Sequence, residues 1–325
     1  MDITIPYYED MSRISNSNIG WFIKKGPKYL KEMLNNEREG LKLPQLEKGT
    51  MIHEYILQPD EFWKDYVILD YEIPKVKQQK DFCEAYASSL ELVEDAKKLQ
   101  AYRSSYNNVK SDQIALKEAT ELCNKYDIYI QFLRQNDGKK VITFADLTLL
   151  KNIKKNLEEH KKANSLLYNY PNTYETHNEF HINWESPTET GTLLCKSLLD
   201  RVMIDHENKK IILIDLKTTA DVYNFKHSIE EFDYCRQLLY YWLAITWYFK
   251  NELFLDIDEY EGETYIIAIQ SNDSNEVRVF KIDDSNLSER FNTIKDALAR
   301  INWHKETNQW EHTKEYYETD GSETI

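Results

Sequence analysis

The stretch Ile211–Leu216, IILIDL, is a run of apolar residues that is interrupted by a single carboxylate, Asp215. A short run of this kind, rich in β-branched residues, is typical of a central strand that is buried on both faces. A charge in such a strand is costly unless it has a partner. The run therefore predicts a sheet-containing protein in which Asp215 belongs to a site.

A second strand candidate precedes this run, and the link between the two, Asp205–Lys210, has the composition of a tight hairpin. If the turn is centred on this link, antiparallel pairing places Asp200 directly opposite Asp215, with Cβ atoms about 4.5–5.5 Å apart. Lys217 lies two residues beyond Asp215 and therefore shares its face of the strand. The sequence thus predicts two carboxylates and one ammonium on one patch of sheet.

This set of side chains suits one kind of chemistry. Two close carboxylates repel each other unless a positive charge lies between them, and a divalent cation with oxygen ligands is the natural partner. Lys217 could then orient an attacking water or stabilise charge on a phosphate, as in metal-assisted hydrolysis of a phosphodiester. From spacing alone, an ordinary ladder of Asp and Lys side chains on a solvated strand face is an equal alternative.

Further candidates lie outside the hairpin. Gln237 and Tyr241 are spaced i, i+4 and share a helix face, although Tyr241 could equally be part of an aromatic core. His53 lies on a predicted helix, where a single histidine is more often structural than a ligand. Spacing does not choose among the acids that precede the hairpin, which are Glu175, Glu179, Glu185 and Glu189.

The order of predicted elements indicates an α+β fold with a mixed central sheet. The predicted elements are a helix from about Ile19 with a break at Gly26-Pro27, a helix at 49–58, a strand at 66–71, a helical block at about 75–167, strands at 174–184, 193–205 and 210–217, a helix at 228–250, strands at 264–270 and 276–281, and a helix at 286–305. The helical block contains almost no Gly or Pro, and we interpret it as an insertion beside the core.

Composition limits the function classes. The formal net charge of -15 weighs against simple non-specific binding of nucleic acid, which needs a basic footprint, but leaves room for a small basic groove on an acidic body. The sequence contains neither an apolar run of about 18 residues nor a secretory signal, so we expect no membrane span and a cytoplasmic location. The four cysteines form no close pair, which fits a reducing compartment.

Several blocks taken together resemble a known superfamily. They are GTMIHEYILQPDEF, NEFHINWESPTETGTLLCKSLLDR, IILIDLKTTAD and FDYCRQLLYYWLAI, and in this order they resemble the PD-(D/E)XK nucleases of the RecE type, the exodeoxyribonuclease VIII-like phage exonucleases. The opening ISNSNIGWFIKKGPKYL also resembles the start of many RecB-like nuclease domains. The resemblance covers roughly residues 12–310, apart from some of the helical block.

The resemblance implies a role for each candidate residue. Asp200 and Asp215 match the two metal-binding acids, and Lys217 matches the catalytic lysine. His53 and Glu179 match further metal ligands of the family, whose ion is Mg²⁺ or Mn²⁺. The pair Gln237 and Tyr241 matches the Gln-x-x-x-Tyr helix that lines the family's site.

The resemblance also implies a function and a domain arrangement. We expect one PD-(D/E)XK nuclease domain over residues 1–310, with a helical insertion at about 75–167 and an acidic disordered tail at 311–325. The expected activity is exonucleolytic digestion of linear double-stranded DNA in phage or prophage recombination, with a single-strand annealing protein as partner and a homo-oligomer as a further expectation. The alternatives are an endonuclease with the same core, and a non-catalytic DNA-binding or virion-associated protein that keeps the fold.

Overall fold

The protein divides into two compact units. The computed structural model describes residues 5–38, 44–69, 71–91, 93–107, 110–135, 138–272 and 274–322. The first unit comprises Met1–Pro59 and Leu149–Ile325, and the second comprises Asp60–Thr148. The second unit corresponds to the insertion that was predicted at about 75–167, but it begins and ends earlier in the chain.

The helices and strands follow one another as predicted in broad order. The helices are α1 (Asn16–Leu34), α2 (Pro44–Leu57), α3 (Pro59–Asp65), α4 (Lys77–Ser88), α5 (Glu94–Ser105), α6 (Asp112–Lys125), α7 (Asp127–Gln135), α8 (Phe144–Glu159), α9 (Lys161–Leu167), α10 (Phe225–Glu231), α11 (Tyr234–Tyr248), α12 (Asp284–Ser288), α13 (Phe291–Thr307) and α14 (Lys314–Glu318). The strands are β1 (Tyr66–Ile68), β2 (Lys140–Ile142), β3 (Tyr174–Thr188), β4 (Gly191–Asp205), β5 (Lys210–Thr219), β6 (Glu261–Gln270) and β7 (Val277–Ile282).

The first unit is built on a five-stranded mixed sheet in the order β3-β4-β5-β6-β7. Only β5 and β6 run parallel, and the other neighbours are antiparallel. Residues of α1, α11 and α13 pack with the strands in one apolar core, which includes Ile19, Leu238 and Leu298. Burial of β5 on both sides explains its continuous apolar run, and the predicted mixed α+β fold is confirmed.

Local sequence signals explain how α1 begins and bends. Ser15 and Asn18 form a capping box, in which the Asn18 side chain accepts from the Ser15 amide at 2.8 Å. The predicted break at Gly26-Pro27 is present, because Gly26 adopts φ 85°, a conformation that glycine reaches without a steric penalty.

The second unit has its own apolar core. Buried side chains from α4 to α7, among them Phe82, Tyr102 and Ile130, form this cluster. The predicted helical block, with an interruption around residues 136–138, did not include β2, which follows that interruption and pairs in parallel with β1. Residues 149–167 belong to the first unit instead, because Asn156 donates to the Asn275 carbonyl at 2.7 Å and Lys162 lies over the ring of Tyr265.

The helix predicted over residues 228–250 is in fact two helices. The chain turns at Asp233, which adopts φ 51° between α10 and α11. Arg236 and Arg290 donate to the Asp233 carboxylate at 3.2 and 2.9 Å, and these bonds stabilise the left-handed conformation. A π-helical turn, Phe249–Leu253, follows α11.

The C-terminal segment 311–325 was expected to be disordered, and this expectation is wrong for the described residues up to 322. Helix α14 begins after Thr313, whose side chain accepts from the Tyr316 amide. Arg300 binds Glu315 at 2.8 Å and the rings of Trp303 and Tyr317 are in contact, so charge and aromatic pairs tie the segment to α13. Residues 323–325 lie outside the described part. Among the described residues, no helix is long and apolar enough to cross a membrane.

Candidate active site

The strands β4 and β5 separate at the position of the two predicted aspartates. Their pairing has the predicted register and extends from Asp205 opposite Lys210 to Arg201 opposite Ile214. Beyond this point the Asp200 Oδ2 atom, rather than a backbone carbonyl, accepts the Leu216 amide at 2.6 Å. The side chain of Asp200 thus replaces the backbone acceptor at the next position of the ladder.

Asp215 is fully buried and is surrounded by polar partners. Its Oδ2 atom lies 2.5 Å from the Lys217 ammonium, although this contact does not have hydrogen-bond geometry. Its Oδ1 atom accepts from Gln237 Nε2 at 3.1 Å. Gln237 Nε2 also donates to the Tyr241 hydroxyl at 2.8 Å, so this one nitrogen of α11 connects Tyr241 with the aspartate.

His53, Glu179 and Asp200 form a three-residue cluster beside this pair. One ligand atom from each side chain lies within 4.8 Å of the others, and His53 Nδ1 is 3.6 Å from Asp200 Oδ2. Glu179 has φ 48°, a rare conformation for a side-chain-bearing residue. The β3–β4 ladder also omits Glu179, between the pairs Asn178–Arg201 and Phe180–Leu199. The local distortion of β3 therefore coincides with the cluster.

Burial and mutual repulsion disfavour negative charge on the acids. Burial, followed by repulsion from Asp200, raises the pKa of Glu179 to about 7. Burial also raises the pKa of Asp215 to about 6, against the opposing effect of Lys217. The pKa of Asp200 is raised chiefly by burial as well. Glu179 is therefore only partly ionised at neutral pH, and a nearby cation would favour its charged form.

The pKa values of the two basic side chains of the site, His53 and Lys217, are shifted in opposite directions. Burial and the charge of Lys217 lower the pKa of His53 to about 4, so its imidazole is neutral and free to bind a metal at neutral pH. Burial lowers the pKa of Lys217, but Asp215 and Asp200 raise it by more, and the ammonium stays charged.

The donor set fits a divalent cation. An imidazole nitrogen and two carboxylate oxygens converge in the cluster, and a cation there would offset the repulsion that raises the pKa of Glu179. His53, Glu179 and Asp200 are the residues that would hold the ion. Asp215 lies outside this three-residue cluster because Lys217 and Gln237 contact its oxygens, so its predicted role as a ligand stays a prediction.

The structure distinguishes the acids that spacing left open. Glu175 contacts His177 at 3.0 Å and His206 at 3.8 Å instead of the cluster. Glu185 is exposed on β3, and Glu189 is exposed in the turn that follows β3. Of the four acids, Glu179 is the one that the fold brings to His53 and Asp200.

Sequence reasoning missed three residues at the site. Glu54 contributes to the raised pKa of Glu179, and the pKa of Tyr8 is raised by loss of solvent around its hydroxyl and then by Glu179 and Asp200. Tyr234 places its ring 5.0 Å from the Lys217 ammonium. Tyr234 lies three residues before Gln237 on the same helix, and this spacing could have indicated that both side chains share a face. No comparable signal pointed to Tyr8, which lies far from the site in sequence.

The raised pKa of Glu179 predicts a pH-dependent stability of the metal-free protein. A folded-state pKa of about 7, above the ordinary 4.5, means that the folded state binds this proton more tightly. The proton on Glu179 contributes fully to the free energy of unfolding below pH 4.5, and this contribution is lost as the pH rises through 7. In EDTA, Glu179→Gln should match the wild type in its urea midpoint near pH 4.5 and exceed it near pH 8.

The matched control is Glu185→Gln, which changes an exposed acid on the same strand. Its midpoint should differ from that of the wild type by the same small amount at both pH values. An equal difference for Glu179→Gln at the two pH values would contradict the prediction.

The comparisons with known proteins bear on the fold of this site. Residues 189–318 match a family described as a PDDEXK-like domain of unknown function. No curated protein matches the chain. A solved structure, named "Putative exonuclease" from Eubacterium rectale, has 12% sequence identity and a TM-score of 0.49, and the match covers 100% of this chain and 96% of that one. Another, named SSO0001, has 12% identity and a TM-score of 0.24, and covers 70% of this chain and 89% of that one.

The likeness to a PDDEXK-like domain comes from the family match, because neither structure is similar enough to bear on it. The matched region runs from just before β4 through α14 and contains Asp200, Asp215 and Lys217. This part of the chain is similar to a PDDEXK-like domain, in agreement with the superfamily that the sequence predicted. The narrower RecE-type likeness stays a prediction.

Proposed function

We propose that the protein is a Mg²⁺- or Mn²⁺-dependent deoxyribonuclease that hydrolyses phosphodiester bonds at the ends of linear double-stranded DNA. The observation that carries the proposal is the convergence of a charged Lys217–Asp215 pair with the His53–Glu179–Asp200 cluster at one break in the sheet. A cation-binding cluster beside a fixed ammonium is the arrangement that metal-assisted hydrolysis of a phosphodiester needs.

Each side chain has a role in this proposal. A bound divalent cation supplies charge stabilisation and lowers the pKa of water. Lys217, whose pKa is raised, acts as a hydrogen-bond donor that orients water or a phosphate oxygen, and not as a base. Asp215 fixes Lys217, and Gln237 fixes Asp215 from α11. The Tyr241 hydroxyl accepts a hydrogen bond from the same Gln237 Nε2 atom.

The preference for DNA ends comes from the RecE-type resemblance and from one physical consideration. A chain with a formal net charge of -15 has weak long-range attraction for phosphates, so retention on DNA would depend on enclosure. A homo-oligomer that surrounds the duplex would provide it. Participation in phage or prophage recombination, with a single-strand annealing protein as partner, completes the proposal.

Digestion of linear and supercoiled plasmid in Mg²⁺ tests this function. We expect the linear duplex to be degraded while the closed circle survives, because the proposed activity begins at ends. The substrates should be supplied at equal mass and sampled over time on a gel. Addition of EDTA should stop the reaction, and restoring Mg²⁺ or Mn²⁺ should restart it.

The other outcomes identify the alternatives. Nicking of the circle at the rate at which the linear form disappears would contradict the exonuclease proposal and indicate an endonuclease. DNA binding without cleavage of either substrate, in either metal, would indicate a non-catalytic protein that keeps the fold. Digestion of RNA with DNA left intact would contradict the proposed substrate.

A further inference from the structure

The Lys217 ammonium lies between two groups of different chemistry. Asp215 Oδ2 is 2.5 Å from it, and the ring centroid of Tyr234 is 5.0 Å from it. A cation within about 6 Å of an aromatic ring centroid is attracted by the negative face of the ring. The carboxylate alone would leave a flexible side chain free to swing, whereas two contacts restrict its position.

The ring of Tyr234 is itself held in place by aromatic neighbours. It stacks on the buried Phe225 with a centroid distance of 5.9 Å and an interplanar angle of 24°. It also stacks on Phe232 at 5.8 Å and 29°. Phe225 and Phe232 lie at the two ends of α10, so the ring is fixed by the helix that precedes its own.

The start of α11 is fixed by charge. Asp233, directly before Tyr234, accepts from Arg236 and Arg290 and adopts a left-handed backbone conformation. Arg290 also binds Glu230 at 3.0 Å, which ties the end of α10 to the same point. The position of the Tyr234 ring is therefore determined by the turn between α10 and α11.

We propose that Tyr234 is a positioning residue for Lys217, and that its ring face, not its hydroxyl, holds the ammonium in the orientation used in the reaction. The proposal deepens the proposed function and rests on it for the statement that Lys217 takes part in DNA cleavage. Tyr234 acts through Lys217 and needs no contact with DNA.

Three variants and two measurements test this inference. Tyr234→Phe keeps the ring, Tyr234→Leu removes it, and Tyr223→Leu removes a tyrosine whose ring contacts a different cation, Arg278. In Mg²⁺, we expect Tyr234→Leu to lower kcat about tenfold with KM nearly unchanged, because ground-state binding does not need the ring. Tyr234→Phe and Tyr223→Leu should keep kcat near the wild-type value.

The second measurement does not depend on activity. Protons that lie over an aromatic ring are shifted upfield in NMR spectra, so the ε-methylene signal of Lys217 should show this shift in protein labelled with ¹³C-lysine. The shift should persist in Tyr234→Phe and disappear in Tyr234→Leu, and a Lys217→Arg variant assigns the signal.

The outcomes separate the two proposals. Absence of the upfield shift in the wild type, an unchanged kcat in Tyr234→Leu, or an equal loss in Tyr234→Phe and Tyr234→Leu would each overturn the positioning role of the ring. If the wild type cleaves no DNA, the proposed function fails, and the NMR signal still decides whether the ring holds the ammonium.

Discussion

Asp215→Asn should reduce Mg²⁺-dependent cleavage of linear DNA by about a thousandfold while the fold stays intact. The change removes the charge that fixes the Lys217 ammonium 2.5 Å away, but it keeps the shape of the side chain and an oxygen for Gln237. Removing a buried charge whose pKa is raised to about 6 by burial also relieves a cost of folding at neutral pH. Initial rates with excess Mg²⁺ and a thermal melt measure the two effects.

Glu263→Gln is a matched control on the neighbouring strand β6, since Glu263 pairs with Lys281 away from the cluster. This variant should keep full activity. A correctly folded Asp215→Asn protein that cleaves at the wild-type rate would show that the assignment of the active site is wrong.

Lys217→Met should lower kcat by about a hundredfold or more, with a smaller effect on KM. The methionine fills a similar volume but offers no donor for water or phosphate. It also leaves the fully buried Asp215 without its cation, which should raise the pKa of that carboxyl further. Single-turnover rates at saturating enzyme measure the loss in the chemical step.

Lys210→Met provides the comparison, because Lys210 is an exposed lysine at the start of the same strand. Its rate should match the wild type. Full activity of Lys217→Met in a folded protein would remove the lysine from the proposed mechanism and leave the metal cluster alone to account for any cleavage.

The hairpin and its register could be predicted because the information is local. The tight link Asp205–Lys210 and the period of two along a strand determine which residues face each other. The break at Gly26 could also be predicted from the sequence, because the glycine and the proline after it restrict or free the backbone locally. Tertiary contacts enter neither prediction.

The remaining features depend on contacts between distant parts of the chain. The hydrophobic pattern runs through Asp233, where the helix breaks at a left-handed residue whose carboxylate accepts from Arg236 and from the distant Arg290. Spacing could not select Glu179 from four acids, because the choice depends on a left-handed backbone at that residue and on where α2 places His53. The resemblance to a family, and not spacing, singled out Glu179 among these acids.

The bond from the Leu216 amide to the Asp200 side chain has a practical consequence for trapping a DNA complex with an inactive variant. Asp200→Ala would remove a metal donor and would also leave a backbone amide without its acceptor, at a cost of about 1–3 kcal/mol if the amide stays buried. The gap between β4 and β5 could then close or fill with solvent. For co-crystallisation, Asp215→Asn is the better choice, since it silences the site without disturbing the backbone that supports it.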